Sequence, residues 1–261
     1  MSGFFDVPLP FGFAHQGGTD VAPGNTEASF DHAVGLGYRY IETDVHATYD
    51  GVLVVFHDDD LEPTTGVGGP IEAKTWAEVA QLRVRGEHPI QRFDAVLDRY
   101  PGTRFNVEPK GASAVDPLIE LVRARKLLDQ ICIGSFSDRR VARMKGALGP
   151  TLCTSPGPLG LARILLMALV WPRWHPPHVA VQIPRKYWIL PLATPFWIRR
   201  LHRMGLQVHV WTINLEPEMR ELLDDGADAI MSDKAVLLRE VLVSRGQWPE
   251  TPVDDSVNDR G

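Results

Sequence analysis

Cysteine is nearly absent from this chain: Cys132 and Cys153 are the only two among 261 residues. That scarcity excludes a disulfide-stapled secreted scaffold. Both fall in apolar runs, Ile131-Cys132-Ile133 and Leu152-Cys153-Thr154, so buried free thiols are expected. A run of roughly 20 apolar residues, the length a bilayer-spanning helix needs, is also missing. The N-terminus has neither a basic region nor a long apolar core, so no signal peptide is read and a cytoplasmic location is expected. Positive charge is not in excess. The formal net charge is −6 and the isoelectric point near 5.8, which argues against nucleic acid as the main partner. No glycine-rich phosphate fingerprint follows the first strand-like run, which counts against an open dinucleotide-binding sheet.

What is present is an alternation of short apolar runs with helical patterns. Strands are predicted at 11–14, 38–45, 104–107, 130–136, 151–154, 178–183, 207–213 and 227–231. An extra strand at 52–56 follows Asp50-Gly51, a hairpin turn signal. Helices are predicted between them. Asn25 or Thr26 caps a run ending at Gly37, Thr75 caps 76–82, and Asp138 starts 139–148. A run over 216–225 ends at Gly226, and Asp233 caps 234–244. Eight βα units with apolar strands predict a parallel (β/α)8 TIM barrel with a small hairpin insertion after the second strand. A doubly wound open sheet is the alternative. The expected organisation is a single catalytic domain over residues 1–248. Residues 249–261, with Glu250, Asp254, Asp255 and Asp259, read as a flexible acidic tail.

Polar groups sit where these strands end. His15 closes the first strand; Glu42 and Asp44 lie two apart on the second; His57-Asp58 follows the extra strand; Glu108 and Lys110 end the third. In a parallel barrel such groups converge on the C-terminal rim, where catalysis takes place. Glu42 and Asp44 share a face and repel unless a cation or proton lies between them, and Glu108 offers a third oxygen. Oxygen-only ligation suits Mg²⁺ or Ca²⁺. The competing reading pairs these carboxylates with Arg39 or Lys110. His15 and His57 are candidates to flank a phosphate as acid and base. Lys110 points to the same side as Glu108 and is a candidate phosphate contact. Gln182 near the end of the sixth strand, and Asn214 just past the seventh, are read as facing the mouth.

Residues 159–174 are unusually apolar, with Trp171 and Trp174 at their end and Trp188 and Trp197 not far beyond. The simpler reading is a barrel helix packed on the sheet. The sharper one is an exposed lip giving peripheral contact with a membrane or a partner.

Several motifs together carry a resemblance. These are His15-Gln16-Gly17-Gly18 with Pro23-Gly24-Asn25-Thr26, Glu42-Thr43-Asp44-Val45 with Asp50-Gly51 and His57-Asp58, and Asn106-Val107-Glu108-Pro109-Lys110. Gly134-Ser135-Phe136, 210–214 and 226–233 agree as well. In this order and spacing the chain resembles the glycerophosphodiester phosphodiesterases from about Ala14 to Leu242. The resemblance implies a metal-dependent phosphodiesterase with Glu42, Asp44 and Glu108 as metal ligands and His15 and His57 as the acid–base pair. It implies Lys110 on the phosphate and Trp211 lining the pocket. It further implies attack on phosphorus by the hydroxyl next to the phosphodiester, through a cyclic phosphate. Three positions depart from the family pattern: Gln16 replaces an arginine that contacts phosphate, Gly24 a glutamate, and Pro63 an arginine. Gln16 keeps hydrogen-bond donors but brings no charge or bidentate fork. The expected substrate is a small glycerophosphodiester, cleaved to glycerol 3-phosphate and an alcohol. The alternatives are a lysophospholipid, cleaved as by a lysophospholipase D with 159–197 as an apolar lip, and a phosphodiester-binding module without turnover.

Overall fold

A strand covered on both faces needs apolar residues at both parities, and eight segments meet that demand in the computed structural model, which describes residues 3–171 and 173–248. They are β1 (Phe11–His15), β2 (Tyr40–Ala47), β3 (Arg104–Pro109), β4 (Ile131–Ile133), β5 (Cys153–Thr154), β6 (Ala180–Pro184), β7 (Gln207–Trp211) and β8 (Ala229–Ser232). All pair in parallel, in the order β6-β7-β8-β1-β2-β3-β4-β5. The last strand therefore lies beside the first, as in a barrel and not in a doubly wound sheet. Each strand is followed by a helix: α1 (Glu27–Gly35), α2 (Phe93–Arg99), α3 (Val115–Arg125), α4 (Asp138–Leu148), α5 (Pro158–Val170), α6 (Pro195–Arg203), α7 (Glu216–Asp224) and α8 (Ala235–Ser244).

The barrel is nearly closed. Among the described residues β5 and β6 share no ladder. Side chains bridge the seam instead: Gln182 N donates to Ser155 Oγ (3.1 Å), and Thr154 Oγ1 lies 3.0 Å from His178 Nδ1. Phe4, Phe11, Phe13, Tyr40, Met231 and the two free cysteines pack the lower interior. With that end filled by side chains, polar groups gather at the other end.

The expected hairpin after β2 is present, and further chain packs with it. Leu53–Val55 pairs antiparallel with β2, Val45 opposite Val55, and also with Gln91–Arg92. Gly51 supplies the turn at φ +79°. Between the strands, Leu61, Ile71, Val79 and Ile90 build a small core of their own with Val54 and Phe56. The helix capped by Thr75 ends at Val79 instead of Leu82, because Arg83–Val84 leaves to pair with His88–Pro89.

Two further expectations shift. Helix α8 begins after Lys234, with no side-chain cap, because the Asp233 carboxylate is held elsewhere. Helix α5 carries the apolar stretch 159–174 down from the end of β5, away from the mouth. Leu165 and Trp174 pack on the core, while Leu166, Leu169 and Trp171 are exposed. No helix among the described residues is long and apolar enough to cross a membrane. The tail at 249–261 lies outside the described residues.

Candidate active site

Register brings the sequence candidates into layers. His15 on β1 lies opposite Glu42 on β2, which lies opposite Asn106 on β3; two residues further, Asp44 lies opposite Glu108. Alternation turns Glu42 and Asp44 to the same face. Both are buried, and among the described residues Asp228 is the one other buried acid.

His15 Nδ1 lies 2.6 Å from Asp233 Oδ1, and its Nε2 lies 3.5 Å from Glu42 Oε2. Asn214 fixes Asp233 by donating from Nδ2 to Oδ2 at 2.7 Å, while its Oδ1 accepts from Asp233 N at 3.0 Å. Burial works against a charged His15, but the Glu42 charge and the Asp233 bond outweigh it and push its pKa up to about 9. Asp233, read from sequence as a helix cap, thus orients the imidazole, and Asn214 serves Asp233. Neither role has a local sequence signal, since the two partners lie 218 residues apart.

Glu42 is 6% exposed, yet its contacts from Gln16 N (3.4 Å) and His15 Nε2 (3.5 Å) are long. Burial, with the Asp44 charge next, pushes its carboxyl up to about 8. Asp44 is better served: Gln16 Nε2 and Asn25 Nδ2 both donate to Oδ2 at 2.9 Å. Asn25, weighed as a cap, instead sits at φ +60° with its amide turned inward, and Thr26 caps α1. Lys110 Nζ stands 3.5 Å from Asp44 Oδ1 and 3.6 Å from Glu108 Oε2. Burial opposes its charge, but the two carboxylates hold it and its pKa rises. Burial also raises Glu108, against the nearby ammonium. Arg39 turns away to Asp6.

The donor set suits a hard divalent cation in type: three oxygen ligands, one of them a buried carboxylate short of partners. As arranged, they form no cage. Among the described residues no three His, Cys, Asp or Glu side chains converge as a metal site, and the Lys110 ammonium bridges Asp44 and Glu108.

His57 is half exposed, its Nδ1 2.7 Å from Asp58 Oδ1, and the buried His46 reaches its carbonyl at 3.4 Å. It faces Gln16 across a cleft of about 640 Å³ between the β1–α1 loop and the insertion. Arg85 lines the same cleft at φ +51°, its N donating to Thr64 O at 2.7 Å. Its backbone thus meets Thr64, the residue after Pro63. An isolated Arg-Gly turn gave no hint of that. Trp211 packs edge-to-face on Phe136 at 5.6 Å, and both lie at strand ends on the rim. Gln182 is turned to Asn106, donating from Nε2 to Oδ1 at 2.8 Å within the barrel.

The chain matches the model of the glycerophosphoryl diester phosphodiesterase family over residues 15–150 and 161–237. It is 36% identical over 242 residues to a probable glycerophosphodiester phosphodiesterase 2 of Mycobacterium tuberculosis, covering 90% of this chain and 91% of that one. A rat lysophospholipase D is 26% identical, over 88% of this chain and 85% of its own. Among solved structures, a putative family member from Silicibacter pomeroyi superposes with a TM-score of 0.77 at 22% identity, covering 94% and 97% of the two chains. An Oleispira antarctica phosphodiesterase in complex with its product sn-glycerol-3-phosphate gives 0.74 at 23%, covering 90% and 97%. With most of its length matched in sequence and its barrel matched in space, the chain belongs to the glycerophosphoryl diester phosphodiesterase family, hydrolases of phosphodiesters.

Proposed function

We propose that the protein is a metal-dependent glycerophosphodiester phosphodiesterase, with residues 1–248 as its catalytic domain, releasing glycerol 3-phosphate and an alcohol. The observation that carries the reading is His15, seated between Asp233 and Glu42 beside carboxylates in register on β2 and β3. In this reading Glu42, Asp44 and Glu108 hold Mg²⁺ or Ca²⁺. The ion would offset phosphate charge and acidify the attacking hydroxyl. His57 takes the proton from the substrate hydroxyl next to the phosphodiester as that oxygen bonds to phosphorus. His15, aligned by Asp233, gives its Nε2 proton to the departing alcohol oxygen as the old P–O bond breaks. Water then opens the cyclic phosphate with the two histidines exchanging roles. Lys110 steadies a phosphoryl oxygen, Gln16 braces Asp44 and offers its amide to the phosphate, and Trp211 with Phe136 walls the leaving group. Gln182 supports the floor through Asn106.

A lysophospholipid is the second substrate reading. It rests on the rat relative and on the exposed aromatic Phe136 at the rim. The retained histidines and acids leave little support for a binding module without turnover.

The test is turnover of glycerophosphocholine and of lysophosphatidylcholine, side by side, with Mg²⁺, Ca²⁺ and EDTA, alongside melting curves under the same conditions. His15→Ala is expected to lower kcat by about 10²–10⁴-fold. Glu42→Ala is expected to remove both activity and the metal-induced rise in melting temperature while the fold survives. Wild-type activity in Glu42→Ala sinks the metal assignment; metal-independent turnover by the wild type sinks it as well.

A further inference from the structure

The overall acidity conceals a sharp division. From Arg139 to Leu215 the chain has no aspartate or glutamate, and eleven of its arginines and lysines fall there. Those residues build the sector from α4 to β7. The rest of the chain therefore carries more than the whole net charge of −6.

The same sector bears the apolar part of the rim. After β6 the chain makes a small hairpin, Lys186–Tyr187 pairing with Leu190–Pro191. Tyr187, Trp188, Ile189 and Leu190 are 64%, 87%, 90% and 62% exposed. A hairpin that only reverses the chain uses small polar residues at its tip. Here the tip is Trp188-Ile189, with Trp188 at φ +56°, a conformation bulky residues rarely adopt. Phe136 and Leu159, at the ends of β4 and β5, are exposed on the same rim.

We propose that this hairpin docks the barrel, mouth first, on an anionic phospholipid surface. Trp188 and Ile189 enter the boundary between headgroups and acyl chains, and the acid-free sector lies over the headgroups. Shape, chemistry and charge each favour that partner. A two-residue tip exposed on all sides suits a soft phase better than a preformed protein groove. Trp and Tyr favour the interfacial layer, where an apolar ring and a polar edge are both satisfied. Three acids that border this sector are already engaged. Glu218 and Glu221 bind Arg185 at 3.0 and 2.7 Å, and Asp138 accepts from Leu159 N and Gly160 N, both at 2.9 Å. Exposed Lys186 is left to meet headgroup phosphates, and the acidic remainder of the chain turns the molecule so that this sector leads. The surface stands independently of the catalytic reading; its use, delivering lipid-borne diesters to the mouth, rests on that reading.

The experiment is sedimentation of the full chain with vesicles of phosphatidylcholine, with and without phosphatidylglycerol, at low and high salt. Binding is expected to need phosphatidylglycerol, to weaken with salt, and to fall by about tenfold or more in the double variant Trp188→Ser/Ile189→Ser. Lys186→Glu is expected to weaken it less. Both variants should keep wild-type turnover of glycerophosphocholine, which shows that they fold. Absence of wild-type binding to phosphatidylglycerol vesicles overturns the proposal, as does undiminished binding by the double variant. A wild-type dimer dissociated by the double variant would mark the hairpin as a contact with a second copy and also overturn it. Vesicle binding by a chain that turns over no diester upholds the docking surface and counts only against the activity.

Discussion

Gln16 and Gly24, two departures from the family pattern, occupy one space. A Cβ on Gly24 would lie 2.6 Å from Gln16 Oε1 and 2.8 Å from its Cβ. The glutamine, at φ +53°, can lean over residue 24 and donate to Asp44 only because that residue has no side chain. The substitutions therefore belong together, and a larger residue at 24 would force Gln16 off the carboxylate. Gly24→Ala is expected to lower kcat/KM by roughly tenfold, about the worth of one hydrogen bond to a charged group, with little change in melting temperature. Steady-state kinetics checks this, and an unchanged kcat/KM would mean the two positions act separately. The sequence identified both departures but not their contact. Asp44 and Glu108 were legible because each ends an apolar strand. Asp233 was not, because its partner His15 lies across the β8–β1 pairing that only the closed barrel creates.

At the scale of elements, strand positions followed from apolar runs bounded by turns, and the hairpin from Asp50-Gly51. Caps were harder to read, because a short polar side chain can serve a neighbouring element as readily as its own. Asp138 shows this. Ser137 caps α4, while the Asp138 carboxylate receives the first amides of α5, with Gly160 leaving room for it. The seam between β5 and β6 is another feature without a sequence signature. There Ser155, 2% exposed, stands in for a ladder carbonyl by accepting from Gln182 N. Ser155→Ala leaves that amide without its partner and is expected to cost about 1–3 kcal/mol. Urea unfolding should show a lower midpoint with the slope unchanged. A midpoint equal to that of the wild type would show that the seam is held by other contacts.

For the whole molecule, two histidines held neutral by burial, His209 fully and His178 in part, work against stability in acid. Burial takes His209 down to about 3 and His178 down to about 4. In the unfolded chain both regain a value near 6.5, so below that pH the unfolded state binds protons that the native state refuses. The contribution of these histidines to stability is therefore expected to be whole above about pH 6.5 and to be lost between there and about pH 3, by at most about 1.4 kcal/mol per pH unit for each such histidine, while the raised Glu42 carboxyl works in the opposite sense above about pH 4.5. Denaturant midpoints measured from pH 7 to pH 4 check the sign; His209→Gln should flatten the slope. A slope unchanged in His209→Gln would contradict the account. Sequence alone determined the alternating elements, the barrel, and which acids, histidines and lysine stand at strand ends, because periodicity and chain order are local properties. Tertiary structure decided that Asp233 serves His15, that Arg85 lines the cleft, and that Trp188 and Ile189 stand exposed at the tip of a hairpin after β6. Those outcomes depend on which strand ends become neighbours and which way each helix runs once the barrel closes, and no stretch of chain carries that information by itself.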